Sequence, residues 1–346
     1  MFAPIEILKR LLTRTTHRIF TLPVVVLMPH SRCNCRCVMC DIWKANQNHQ
    51  ELSREDLARH VDAFRKLNVQ RVVLSGGEAL MHTHLWTLCK LLRDLRIKIT
   101  LLSTGLLLKP HASDIVRWTD EVIVSLDGGR EVHDAIRNVP RAYDRLAEGV
   151  AALRAISSRF RVTARCVLQR RNFRDLPRIL AAAHDLKLDQ VSFLAADTFS
   201  TAFNRPESWD AGRVSDIALS PGEVDAFREI LEETLRRHAD DFGSGFIAES
   251  PDKLRRLPRT YAALNGDAAF PENTCNAPWV SAVIEADGTV RPCFFHRPLG
   301  NAHKQPLDAL LNAPESIAFR RHLNVQNDPI CRKCVCTLRL GLRAEV

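Results

Sequence analysis

The 346-residue sequence has no apolar run near the roughly 20 residues that cross a bilayer, no internal repeat and no low-complexity tract. It carries no helix-turn-helix, zinc-finger or RNA-binding signature. Its N-terminal segment, MFAPIEILKRLLTRTTHRIF, scatters basic residues instead of placing them ahead of an apolar stretch, and lacks a small-residue cleavage site. It therefore does not read as a secretory signal. These absences argue against a membrane span, a solenoid and the common nucleic-acid modules. What remains, 46% apolar and 26% charged, describes an ordinary globular chain of about two domains.

The formal charge is +9, with arginines clustered in SSRFRVTARCVLQRRNFRDLPR. That tally counts every cysteine as neutral, and metal-bound thiolates would lower it by several units. A moderately basic surface suits an anionic substrate; a solvated helix face accounts for the arginine cluster equally well. The N-terminal segment reads as a helix that caps the domain, with a basic helix lying on a membrane surface as the alternative.

Eleven cysteines without a secretion signal imply a reducing compartment, hence the cytoplasm, where clustered thiols bind metal or do redox chemistry. Four of them, Cys33, Cys35, Cys37 and Cys40, fall within MPHSRCNCRCVMC, directly after the apolar run LPVVVLM.

Six short apolar runs recur, at 24–28, 71–75, 99–103, 121–126, 161–168 and 190–194, separated by segments with helical spacing. Ser53 reads as the N-cap of one helix over SREDLARHVDAFRKL, and Ser220, Pro221 and Glu223 cap another. Alternating strand and helix implies a parallel sheet, and six units are too few for a closed eight-stranded barrel. The expected fold is α/β, a partial (β/α)6 TIM-like barrel. Unusual residues pile up after its strands: the cysteines, then Gly76-Gly77-Glu78, Thr104-Gly105 and Asp127-Gly128. Barrel enzymes build their sites at that rim. The division reads as a helix over 1–22, the barrel over 23–200, a helical linker over 201–269, and a cysteine-rich module over 270–346.

Cys33, Cys37 and Cys40 form CxxxCxxC. Three thiolates so spaced can wrap one face of a cubane and leave one iron without a protein ligand, whereas structural zinc takes four closed ligands. Cys35 reads as a bystander. Together with SGGEAL after the second run and SLDG after the fourth, the motif resembles the radical S-adenosylmethionine (SAM) superfamily over roughly residues 22–200.

The resemblance implies a [4Fe–4S] cluster on Cys33, Cys37 and Cys40, with SAM chelating its open iron. It implies that Gly76, Gly77 and Glu78 lie at the methionine moiety. Ser103, Thr104, Ser125 and Asp127 would contact ribose or methionine, and Arg137 the SAM carboxylate. Met39 stands near adenine where an aromatic is frequent, Ala79 replaces a common proline, and STG lacks a frequent asparagine. The implied reaction is reductive cleavage of SAM to a 5′-deoxyadenosyl radical that takes hydrogen from substrate.

In the last segment, VSAVIEADGTVRPC reads as a hairpin turning at Asp287-Gly288. Cys275 and Cys293 with the CRKC pair Cys331 and Cys334 resemble a SPASM extension, or its one-cluster twitch form, holding a second [4Fe–4S] cluster. Cys336 is an alternative ligand to Cys334, and a zinc ribbon is the alternative to the cluster. Cys89 and Cys166 read as core residues, Cys166 alternatively as facing the barrel mouth. His82 and His84 read as loop residues, and no catalytic acid or base is assigned.

Substrate remains open between a small molecule, with oxidation or rearrangement and the auxiliary cluster as electron acceptor, and a peptide matured as in ribosomal peptide (RiPP) or sulfatase systems. No winged-helix-like peptide-binding domain is evident. A reductant such as flavodoxin or ferredoxin is expected, and no DNA. The competing class is a non-catalytic metal-bearing nucleic-acid binder. Two cubanes predict about eight irons per chain on anaerobic reconstitution; zinc at either site would contradict the assignment.

Overall fold

The computed structural model describes residues 4–205 and 207–346. Six strands, β1 (Val24–Leu27), β2 (Arg71–Leu74), β3 (Lys98–Ser103), β4 (Glu121–Ser125), β5 (Arg161–Leu168) and β6 (Gln190–Ala195), pair in parallel in chain order. Alternation sets the two faces. Val72, Leu74, Ile99, Leu101, Val122, Val124, Val162 and Ala164 are buried against the helices, while Val73, Thr100, Ile123 and Arg165 border the lumen. The outer core is filled from the helices Leu85–Asp94, Ala142–Ile156 and Leu176–Asp185 by Leu88, Leu92, Leu146, Leu153, Ile179 and Leu180. This is the expected partial barrel.

The cysteine-rich segment does not stand apart from it. β7 (Ser281–Ile284) adds in parallel to the free edge of β1, and β8 (Thr289–Arg291) and β9 (Gly300–Asn301) follow antiparallel, making one nine-stranded sheet. The hairpin expected around Asp287-Gly288 is present as β7–β8. Its first strand, however, is buried at all four positions, as a strand covered on both faces must be. That continuous burial suits an interior parallel strand.

Residues 201–269 are likewise no linker. The helix Pro221–Arg237 turns Val224, Phe227, Leu231 and Leu235 inward, and Phe227 meets Phe173 with ring centroids 5.9 Å apart. An apolar stripe of that width needs a partner, and the barrel's outer face supplies it. The Tyr261 hydroxyl, fully buried on the helix Arg256–Leu264, donates to the Leu168 carbonyl and accepts from the Ala196 amide at 2.9 Å.

The helix expected after Ser53 is split into Arg54–Ala58 and Val61–Lys66, with buried His60 at the start of the second piece; Asp56 completes the Ser53 capping box. The N-terminal helix Pro4–Thr16 does pack on the domain, but with its polar side inward. Glu6, Arg10 and Thr13 are buried, Arg10 donating to the Gly341 and Ala344 carbonyls, while Ile5, Leu8 and Leu11 are exposed. No helix among the described residues is long and apolar enough to cross a membrane.

Tyr261→Phe leaves the buried Ala196 amide without its acceptor. It is expected to cost about 1–3 kcal/mol in urea unfolding, with no change in iron content.

Candidate functional site: two thiol clusters on one lumen

The loop after β1 is held by its backbone. Gly76 has φ +110, and a Cβ there would lie 2.8 Å from the His30 carbonyl oxygen. A Cβ on Gly77 would lie 1.9 Å from the Arg32 carbonyl oxygen and 2.4 Å from its carbon. Only glycine lets the loop after β2 pass this close, and the Glu78 amide then donates to Arg32 O at 2.8 Å. From the other side the amides of Arg36 and Val38 donate to the carbonyls of Arg137 and Ile136 at 3.2 and 3.1 Å. The Asn46 side chain clamps Cys33, accepting from its N–H and donating to its C=O, both at 2.9 Å.

Cys33, Cys37 and Cys40 all border a cavity of about 290 Å³ together with Met39, Gly76, Gly77, Ser103, Thr104, Ser125 and Arg137. Cys35 is buried against Leu106 and Ala142 and does not border it. A hydrogen bond from Cys35 lowers the Cys37 thiol to about 7, whereas burial pushes Cys40 up to about 12. These thiols are poised to trade protons for metal.

Two expected contact residues lie outside this lining. Glu78 is fully buried, accepting from the Thr104 amide at 2.7 Å, Ser103 Oγ at 3.0 Å and the Leu80 amide at 3.2 Å. It braces the β2 and β3 loops from behind. Asp127, also fully buried, pairs with Arg137 and accepts from the Val167 amide at 3.0 Å. It aims the guanidinium, which sits 3.6 Å from Cys37 Sγ with its Nε lacking a hydrogen-bond partner among the described residues. Burial is the largest single influence and opposes the Arg137 charge, but Asp127, Cys37 and Cys35 together outweigh it and hold that charge in place.

Cys275, Cys293, Cys331, Cys334 and Cys336 all border a second cavity of about 390 Å³. Two asparagines gather them. Asn273 Nδ2 donates to the Cys331 and Cys334 carbonyls at 2.7 and 2.9 Å, and Asn276 is bonded to Leu338 and Leu340 of the tail. Asp328 caps the turn through the Ile330 and Cys331 amides at 3.0 and 2.9 Å. His296 Nε2 lies 3.2 Å from Cys331 Sγ. Burial raises Cys293 to about 11 and Cys331 and Cys334 higher still, so the site favours neutral thiols until a metal displaces the protons.

Ser75, Leu102, Ile123, Arg165, Phe294, Phe295 and Cys336 border both cavities, so the two thiol clusters open on one lumen. Sequence reasoning missed much of this site. Asp41 joins Arg213 at 2.6 Å and Trp209 Nε1 at 2.7 Å, Arg205 pairs with Asp197 at 3.0 Å, and Arg165 is a lumen residue. The arginine cluster over 159–178 is only partly a solvated helix face: Arg174 and Arg178 are exposed on helical turns, whereas Arg161 and Arg165 lie on the interior strand β5. His82 is buried, bonded to the Leu52 carbonyl at 2.9 Å, and His84 precedes a helix; neither borders the lumen. Cys166 and Cys89 are core residues.

Donor set, glycine-permitted approach and partnerless Arg137 Nε all fit a three-thiol cubane with a polar ligand at its open side, and the five-thiol site fits a second cluster. Residues 27–183 match the Radical SAM superfamily and residues 275–335 the SPASM iron–sulfur cluster-binding domain. The chain therefore carries a radical SAM domain followed by a SPASM domain, a pair that implies SAM, a [4Fe–4S] cluster and an auxiliary cluster.

Among its relatives is the Fe-coproporphyrin III synthase of Methanosarcina barkeri, 29% identical over 66% of this chain and 54% of that protein. Another is the antilisterial bacteriocin subtilosin biosynthesis protein AlbA of Bacillus subtilis, 25% identical over 82% of this chain and 58% of the relative. The chain thus spans about half the length of these curated relatives. Streptococcus suis SuiB bound to S-adenosylmethionine shares the fold, with a TM-score of 0.63 at 14% identity, covering 93% of this chain and 74% of that one.

Gly77→Ala is expected to displace the cysteine loop. Iron should fall from about eight to about four per chain, with the auxiliary cluster's EPR signal retained.

Proposed function

We propose that the chain cleaves SAM reductively and draws a hydrogen atom from a substrate held in the lumen between the two thiol clusters. The observation that carries this reading is the shared wall: Ser75, Leu102, Ile123, Arg165, Phe294, Phe295 and Cys336 border both cavities. When bound, the clusters supply the redox chemistry, delivering one electron to the SAM sulfonium at the three-cysteine loop, with the resulting radical acting on substrate, and accepting an electron at the auxiliary site.

The chain's own residues do the positioning. Gly76 and Gly77 keep the loop backbone open to the methionine part, and Ser103, Thr104 and Ser125 offer hydroxyls at the rim. Arg137, aimed by Asp127, presents a fixed cation to the SAM carboxylate. Met39 supplies a soft apolar surface, while Phe294 and Phe295 wall the lumen against water. Cys275, Cys293, Cys331 and Cys334 hold the auxiliary cluster. Cavities of about 290 and 390 Å³ suit a small molecule or a residue or two of a peptide, so both substrate classes stand. The electron comes from a flavodoxin- or ferredoxin-like donor, and eleven free thiols support a cytoplasmic setting.

Anaerobic incubation of the reconstituted protein with SAM and a reductant tests the reading. 5′-Deoxyadenosine should form in the wild type and be abolished in Cys33→Ala. Cys275→Ala should lose about half the iron yet keep some uncoupled cleavage. Absence of 5′-deoxyadenosine from iron-replete wild-type protein refutes the proposal.

A further inference from the structure

Three arginines border the upper cavity, and two are already matched. Arg137 is paired with Asp127, and Arg205, its side chain 1% exposed, with Asp197. Arg71, at the lower end of the lumen, is bonded to Glu121 at 2.9 Å. Arg165 differs. It lies on β5, directly beside Ser125 of β4 and Ser192 of β6, with its side chain exposed to the lumen. Its one side-chain hydrogen bond among the described residues is from Nε to Ser192 Oγ at 3.3 Å, and no described carboxylate is within ion-pair reach. Glu249 is the acid whose field overlaps that of Arg165, but it is engaged by the Phe193 amide at 2.9 Å and by Lys253 at 3.7 Å.

A guanidinium cannot shed its proton, so this part of the lumen carries a permanent positive charge that no described carboxylate contacts. Beyond Ser125 and Ser192 the walls are mostly apolar, with Leu102, Ile123, Val167, Leu194, Phe294 and Phe295. In such surroundings a charge interacts more strongly than in water, and a planar fork with unused N–H groups matches a carboxylate in a bidentate pair. One arginine balances one negative charge; a phosphate dianion would remain half neutralised.

We propose that Arg165 is the substrate-carboxylate anchor and that this protein acts on substrates bearing a free carboxylate. The inference rests on the lumen being the substrate chamber. Position separates this role from binding the SAM carboxylate. Arg137 borders only the cavity of the three-cysteine loop, whereas Arg165 borders both cavities, on the path between the thiol clusters. The residue sets where the anion sits and leaves the hydrogen to be removed elsewhere on the substrate.

The test uses the cluster-loaded protein, with hexanoate and its neutral isostere hexanamide as probes in anaerobic calorimetry. Wild-type protein should bind hexanoate more tightly than hexanamide. Arg165→Gln should weaken hexanoate about tenfold or more while leaving hexanamide, iron content and SAM affinity within about twofold of wild type. Arg165→Lys keeps the charge without the fork, and should retain a preference for hexanoate at a several-fold lower affinity.

Equal binding of the two probes by wild type, or unchanged hexanoate binding in Arg165→Gln, overturns the proposal. So does a comparable loss of SAM affinity, which would assign the arginine to the cofactor. Should Arg165→Gln fail to load iron, Arg165→Lys decides, and equal affinity for the two probes in that variant refutes the anchor. 5′-Deoxyadenosine formation without probe reports on the radical chemistry separately, so a failure there removes the proposed function while leaving the carboxylate result standing.

Discussion

The contact on which the site depends is backbone against backbone. The loop after β2 runs so close to the loop after β1 that a single methyl group on Gly77 would overlap the Arg32 carbonyl. This contact sets the height and tilt of the three-cysteine loop above the lumen. Other contacts grip the loop from outside: Asn46 at Cys33, the carbonyls of Arg137 and Ile136 at Arg36 and Val38 respectively, and Glu78 tying the β2 loop to the β3 loop. Nothing in this frame relies on a long flexible side chain. That suits a site whose ligands must meet a rigid metal cluster.

The arginines along the lumen are paired with carboxylates, Arg165 excepted among the described residues. Asp127 and Arg137, Asp197 and Arg205, and Glu121 with Arg71 and Arg161 each set a carboxylate against a guanidinium inside or beside the lumen. An unpaired buried charge is costly, so matched pairs are the expected arrangement. Arg165, which borders both cavities, breaks the pattern. A chamber otherwise balanced and mostly apolar keeps one cation available, which gives the lumen a polarity of its own.

Much of the barrel was legible in the order of residues. Six β-branched runs with helical spacing between them gave the strands, because a parallel sheet buried on one face and lumen-lining on the other leaves that imprint. Cys33, Cys37 and Cys40, the paired glycines, Ser103, Thr104 and Ser125 were legible because they fall at strand ends. Glu78 and Asp127 were legible as residues beside the site, but not that they bond to the β3 loop and to Arg137: an acid next to a ligand loop looks the same in sequence whether it faces the ligand or braces the residue that does. Arg165 was hidden in a cluster of arginines whose spacing suggests solvent, since strand alternation alone does not say which face is a cavity. Asn273 and His296 carry no motif; their roles arise from segments far apart in the chain meeting at the second thiol cluster.

Local pattern determined the strands, the metal-ligand types and the glycine requirement, since each depends on spacing within a few residues. Only the folded chain decided that β7 joins β1, that the helices of 201–269 clad the barrel, and that two thiol clusters about 240 residues apart in sequence share one lumen. Those outcomes depend on which apolar surfaces cover one another. Burial of that kind is non-directional and long-range, and leaves no mark at any one position.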